Sequence, residues 1–138
     1  MRKKVLLSSL AIIILIIAWG VYNYRKPHTN VVAIKAAISL TAAELMKQYE
    51  QDEIAANKKF ADKVLEVNGT VIAIEHSDST ANIQLASGEQ MGNINCSFIF
   101  SKDAPIKLPA KNTNITIKGH CIGYLVDVNL VDCVIEPK

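Results

Sequence analysis

The chain has 138 residues, 15 basic and 13 acidic side chains and 50% hydrophobic residues, enough for about one domain. Its overall charge hides a split: Arg2, Lys3, Lys4, Arg25 and Lys26 flank an apolar run near the N-terminus, so residues 27–138 hold ten lysines, no arginine and all thirteen acids, a net of −3. Sequence-independent nucleic-acid binding rests on neutralising phosphates with Lys and Arg, so an acidic, arginine-free domain is a poor candidate for it and nucleic acid is not the expected partner.

Val5 to Tyr22 reads VLLSSLAIIILIIAWGVY, with no charge and two serines. As a helix this stretch spans about 27 Å, close to the roughly 30 Å hydrocarbon core of a bilayer. Trp19, Tyr22 and Tyr24 stand where an interfacial aromatic belt belongs, and Arg25 and Lys26 can snorkel to headgroups. A single membrane-spanning helix is the expected reading, making the membrane the first partner. The competing reading is a cleaved secretory signal, with Met1 to Lys4 as its basic n-region and Ala18-Trp19-Gly20 as a faint small-x-small site. A buried globular helix is the third. No cysteine lies near the end of the run, which excludes a lipoprotein anchor there. Three basic residues and the amino terminus precede the span, against Arg25, Lys26 and Lys35 after it. That small bias places the N-terminus inside and the following domain outside the cytoplasm; cleavage would leave the domain secreted or periplasmic.

The chain therefore divides into an anchor over 1–26, a tether over 27–40 and a domain over 41–138. Pro27 ends any helix leaving the membrane. Thr41 opens a TAAE capping box with Glu44. Leu45, Tyr49, Ala56 and Phe60 recur at helical spacing and form a face to pack on a sheet, while Gln51 to Glu53 breaks the segment into two short helices.

Lys63 to Glu75, KVLEVNGTVIAIE, is long and rich in β-branched residues, the mark of a strand. Leu65 and Val67 face one side, and after Gly69 the inward set is expected to shift to Ile72 and Ile74, which requires a bulge at the glycine. A two-residue hairpin at Asn68-Gly69 is the rival. His76 to Thr80 is turn chemistry, with His76 and Asp78 expected to be solvated. Ile83 and Leu85 alternate with Asn82 and Gln84 in a second strand; Ile94, Cys96, Phe98 and Phe100 alternate with Asn93, Asn95, Ser97 and Ile99 in a third. The segment containing Pro105 and Pro109 crosses to a closing hairpin, in which Ile115, Ile117, Gly119 and Cys121 form one strand. Leu130, Cys133 and Ile135 form the other, after a turn over Tyr124 to Asn129.

Five strands, the first long and bent at a glycine, form the pattern of an OB-fold: a mainly β Greek-key barrel, here preceded by one or two short helices and an N-terminal transmembrane helix. Three stretches, ELMKQYEQDEIAANKKFADKVLEVNGTV, NCSFIF and ITIKGHCIGYLVDVNLVDCVI, resemble the tRNA_anti-like family of bacterial OB-fold proteins, mostly uncharacterised and often membrane-anchored or exported. The resemblance runs from about Leu40 to Ile135 and implies architecture; it does not imply tRNA binding.

No catalytic constellation accompanies these elements, so the chain reads as a non-enzyme. Cys96, Cys121 and Cys133 all project from core faces. With the turn centred near Asp127, Cys121 and Cys133 would lie opposite each other and could bridge in an oxidising compartment; the alternative is three buried thiols. Neither a metal nor a cofactor is expected: there is no C-x-x-C pair, and His120 and Cys121 point to opposite strand faces. Phe98 and Phe100 share the phase of Ile94 and Cys96, so they are core residues and no stacking platform for single strands. What remains for recognition is a polar outer surface of Asn82, Gln84, Asn93, Asn95, Ser97, Lys118 and His120, with Tyr124 in the closing turn, and simple solvation is its bland alternative. A protein, a peptide or an envelope glycan is the expected ligand of this surface, and single-stranded nucleic acid is the alternative by analogy of fold.

Overall fold

The computed structural model describes residues 12–19, 31, 33–88, 91–101 and 106–137. Residues 12–19 form helix α1, whose Ile12 to Ile17 and Trp19 side chains are all more than half exposed. Among the described residues no helix is long and apolar enough to cross a membrane. The span expected over Val5 to Tyr22 extends past α1 on both sides, and those flanks, like the basic residues around them, lie outside the described residues, as does Pro105.

Part of the segment expected as a tether is folded onto the sheet. Ile38–Thr41 forms strand β1, which runs parallel to the first half of strand β2, Val64–His76. Strand β3, Thr80–Leu85, reaches back along β2 only to Val71. The edge of β2 from Leu65 to Asn68 would otherwise be open on that side, and β1 fills it. Ala37 donates its N–H to the Val64 carbonyl at 2.8 Å, Ser39 Oγ donates to Glu66 Oε1 at 2.8 Å, and Val31 is buried. A four-residue strand whose partner lies some 27 positions away carries little local signal.

Thr41 ends β1 and caps helix α2, Ala42–Gln51. Its hydroxyl accepts the Glu44 N–H at 3.2 Å, and Glu44 Oε2 accepts the Thr41 N–H at 2.8 Å, the reciprocal pattern expected from TAAE. The Thr41 N–H and, second, the Thr41 hydroxyl, which donates to Oε2 at 2.9 Å, favour the ionised carboxyl and hold the Glu44 pKa below its ordinary value. The stability this linkage contributes is present above the unfolded-state pKa of Glu44 and lost as pH falls through the folded one. Thr41→Ala is expected to cost about 1 kcal/mol, and to return the Glu44 titration, followed by carboxyl NMR, part of the way to the ordinary range, because alanine removes the hydroxyl and keeps the backbone N–H. A Glu44 titration unmoved by the substitution would show that the Thr41 hydroxyl does not hold this carboxyl in solution. Asp52 breaks the helical segment: extended at φ −158°, it caps helix α3, Glu53–Phe60, with Oδ1 accepting the Ala55 N–H at 2.9 Å. Leu45, Met46, Tyr49, Ala56 and Phe60 are buried and join the barrel core.

The remaining strands are β4, Ile94–Ile99, β5, Asn114–Tyr124, and β6, Val128–Glu136. The sheet runs β1-β2-β3-β4-β6-β5, and β5 pairs back onto β2, so five strands close a barrel with β1 as an added edge. β4 and β6 are parallel and the other barrel pairs antiparallel.

Two sequence expectations need correction. β2 does not change phase at Gly69: Leu65, Val67, Gly69 and Val71 are all buried in unbroken alternation, and the irregularity lies between Val71 and Ala73. The rival hairpin at Asn68-Gly69 is excluded by the continuous strand. Gly69 is required because a Cβ there would stand 3.0 Å from the Ala42 Cβ and 3.1 Å from that of Leu85, where α2 starts across the sheet. Ile72 is left partly exposed and Ile74 only packs against the core margin.

The second correction concerns the cysteines. Leu130, not Cys133, lies opposite Cys121: Tyr124 pairs with Val128, so the turn is centred on Val126 and not on Asp127, and the register shift between Cys121 and Gly123 moves the partner one residue further. Cys133 sits beside Gly119 and its thiol faces Cys96, while Cys121 Sγ lies 3.5 Å from Tyr49 Oη. The Cys121–Cys133 bridge is therefore not formed: all three cysteines are buried free thiols, and burial pushes the Cys96 and Cys121 pKa values up.

Candidate recognition surface

Alternation along β3 and β4 turns Ile83, Leu85, Ile94, Cys96 and Phe98 inward, so the residues between them must face out. Register then decides which of these meet. Asn82 lies opposite Ser97 and Gln84 opposite Asn95, and across the parallel β4–β6 pair Asn95 lies opposite Asn129. Ser97 Oγ donates to Asn82 Oδ1 at 2.7 Å, and Asn95 Nδ2 to Asn129 Oδ1 at 3.4 Å. The result is an uncharged face of amides and a hydroxyl across three strands. Neither lysine nor arginine occurs in β3, β4 or β6.

Asn93 stands at the edge of this face and acts through its backbone: its N–H donates to Asp127 Oδ1 at 2.8 Å and its carbonyl accepts the Val128 N–H at 3.0 Å. Asp127 in turn presents its carbonyl to Asn129 Nδ2 at 3.0 Å. Asn129 and Asp127 were not singled out by sequence reasoning. Asn129 does alternate with Val128 and Leu130, but only the parallel β4–β6 pairing brings it beside Asn95.

Three expected site residues lie elsewhere. Lys118 and His120 are on β5, separated from β4 by β6. Lys118 is not presented to solvent: its side chain is 11% exposed, its Nζ contacts Glu136 Oε1 at 2.7 Å, and Glu66 lies opposite it on β2. His120 is half-buried between Val64 and Val131. Tyr124 stacks on Tyr49 with ring centroids 5.3 Å apart, at one end of the barrel. There the two rings, Met91, Leu125 and Val126 line an open cleft of about 800 Å³ rimmed by Glu50 and Glu53, which no sequence pattern announced. Phe98 is buried and Phe100 half-buried against the core, so neither ring is a stacking platform. His76 and Asp78 are exposed at the β2–β3 turn. Among the described residues no three His, Cys, Asp or Glu side chains converge to hold a metal ion.

The closed five-stranded barrel accompanies a match to the tRNA_anti-like family profile over residues 1–135. The chain belongs to the tRNA_anti-like family. The resemblance noted for residues 40–135 thus extends over almost the whole sequence. No curated protein sequence matches this tRNA_anti-like chain. Among solved structures, it superposes on a "putative nucleic acid-binding lipoprotein" of Klebsiella pneumoniae subsp. pneumoniae MGH 78578 with a TM-score of 0.60 and 13% identity, covering 81% of this chain and 100% of that one. At that identity the likeness is one of fold. A second similar structure is a "putative aspartyl-tRNA synthetase" of Leishmania major Friedlin, with a TM-score of 0.49 and 13% identity, covering 80% of this chain and 23% of that one.

Proposed function

We propose that this tRNA_anti-like protein is a non-enzymatic binding module, tethered to a membrane by its N-terminal helix with the barrel outside the cytoplasm. On this reading its amide face recognises a neutral polar partner: a protein, a peptide or an envelope glycan. One observation carries the recognition step, namely the in-register alignment of Gln84, Asn95 and Asn129 with Asn82 and Ser97 beside them. Side-chain amides offer both donors and acceptors, so the face complements hydroxyl and peptide groups without needing charge. Support for the tether comes from the uncharged run over Val5 to Tyr22 and from α1, whose isoleucines stand exposed, an arrangement that is costly in water.

Single-stranded nucleic-acid binding is the second reading, favoured by the description of the Klebsiella neighbour. Against it stand the lack of an exposed aromatic on the face and the lack of any basic residue in its three strands.

NMR titration of the full chain in phospholipid nanodiscs tests the reading, with a disaccharide-peptide fragment of cell wall and with neutral peptides as probes. Shifts are expected in the side-chain amide signals of Asn82, Gln84, Asn95 and Asn129. Asn95→Ala combined with Asn129→Ala should weaken binding by about tenfold, from hydrogen bonds each contributing about 0.5–1.5 kcal/mol. Titration by none of these probes, with an oligonucleotide shifting the same signals, would transfer the function to the second reading.

A further inference from the structure

The cleft at the end of the barrel has walls that are held in place. A Cβ at Gly92, where φ is +118°, would collide with the Val126 carbonyl oxygen, so the loop after β3 lies directly on the tip of the β5–β6 hairpin. The Ser87 hydroxyl donates to the Gly92 carbonyl within that loop, and Glu50 Oε1 accepts the Met91 N–H at 2.8 Å, tying the loop to α2. Against these fixed walls three large apolar side chains stand out in solvent: Met91 at 86%, Leu125 at 88% and Val126 at 71% exposed. A grouped apolar patch beside a cleft marks a contact surface.

The charges around the cleft decide what covers it. Glu50 and Glu53 form its rim, and among the described residues lining it none is basic. A bilayer is a poor occupant, because inserting the hairpin tip would carry both carboxylates towards the headgroups and strip their hydration. We infer that the cleft is a docking site for a partner-protein segment that presents a lysine or arginine between aliphatic side chains. The cation would meet Glu50 and Glu53 beside the Tyr124 ring, which adds a cation–π contact, while the aliphatic neighbours cover Met91, Leu125 and Val126. This site lies off the amide face and does not depend on what that face binds.

The test uses the full chain in phosphatidylcholine nanodiscs and two synthetic probes, acetyl-Leu-Lys-Leu-Lys-Leu-amide and its counterpart with glutamate in place of lysine. The basic peptide is expected to shift the backbone signals of Met91, Gly92, Tyr124, Leu125 and Val126, leaving those of Asn82 and Asn95 in place. Glu50→Gln with Glu53→Gln should weaken it about fivefold, and Leu125→Ser with Val126→Ser about tenfold, in variants whose remaining spectrum is unchanged. No shift with either peptide at millimolar concentration, or equal binding of the acidic peptide, would overturn the inference. So would quenching of the Leu125 and Val126 signals by a spin label carried on the lipid, which would assign the patch to the bilayer.

Discussion

Replacing Phe98 by alanine is expected to destabilise the domain by about 3–5 kcal/mol, a drop in Tm of more than about 10 °C for a domain of this size. Phe98 is 1% exposed and shares the inward face of β4 with Ile94 and Cys96. Across the β3–β4 ladder it faces only Ala81, too small to close the space the ring would vacate, so the loss combines transfer energy with a residual cavity. An OB-fold that stacks bases on an exposed ring shows the opposite behaviour: the substitution removes affinity and leaves stability nearly untouched. Urea unfolding of wild type and Phe98→Ala separates the two cases. A cost below about 1 kcal/mol, the level of a surface change, would place the ring outside the barrel.

Gly119→Ala is expected to cost about 1–3 kcal/mol as an overpacking change, and to lose part of that cost in a Cys133→Ala background. A Cβ at Gly119 would lie 2.6 Å from Cys133 Sγ and 3.1 Å from the Leu130 Cβ. Sulfur occupies the room that a side chain on β5 would need, which is why the strand carries glycine there. Removing the sulfur opens that room. The double variant should therefore be more stable than the two single costs predict, by about 1 kcal/mol or more. Costs that add to within about 0.5 kcal/mol would mean that Cys133 points elsewhere, for instance towards Cys121 as a hairpin centred on Asp127 would place it.

The same residue pair shows where sequence reading stops. Alternation along NIQL and NCSFIF located the inner and outer faces of β3 and β4 residue by residue, because a half-buried strand writes its environment with period two. The capping box and the break at Asp52 were equally legible, since caps are read over three or four residues. Cysteine positions around a hairpin depend instead on where the turn is centred and on bulges: a turn centred on Val126, with a register shift between Cys121 and Gly123, puts Leu130 and not Cys133 opposite Cys121. A glycine within a long strand reads as a bulge, whereas the reason for Gly69 is the approach of Ala42, a contact between elements that no local pattern encodes. Lys118 has the phase of an outward residue, yet Glu136 draws it into an ion pair against the sheet. The candidate face was legible in part for the same reason. Asn82, Gln84, Asn95 and Ser97 follow from alternation, whereas Asn129 joins them only through the parallel β4–β6 pairing, and the cleft at Tyr124 depends on α2 and two loops meeting.

The proposed recognition by the amide face rests on Asn82, Gln84, Asn95, Ser97 and Asn129 presenting a polar, uncharged surface with no exposed aromatic ring among these residues. Titrating the full chain with a single-stranded oligonucleotide across a range of salt concentrations tests this most directly. The predicted result is no binding at physiological ionic strength and no shift in the signals of Asn82, Gln84, Asn95 or Asn129. Binding that maps to these residues, with affinity falling linearly in log salt as phosphate neutralisation demands, would contradict it.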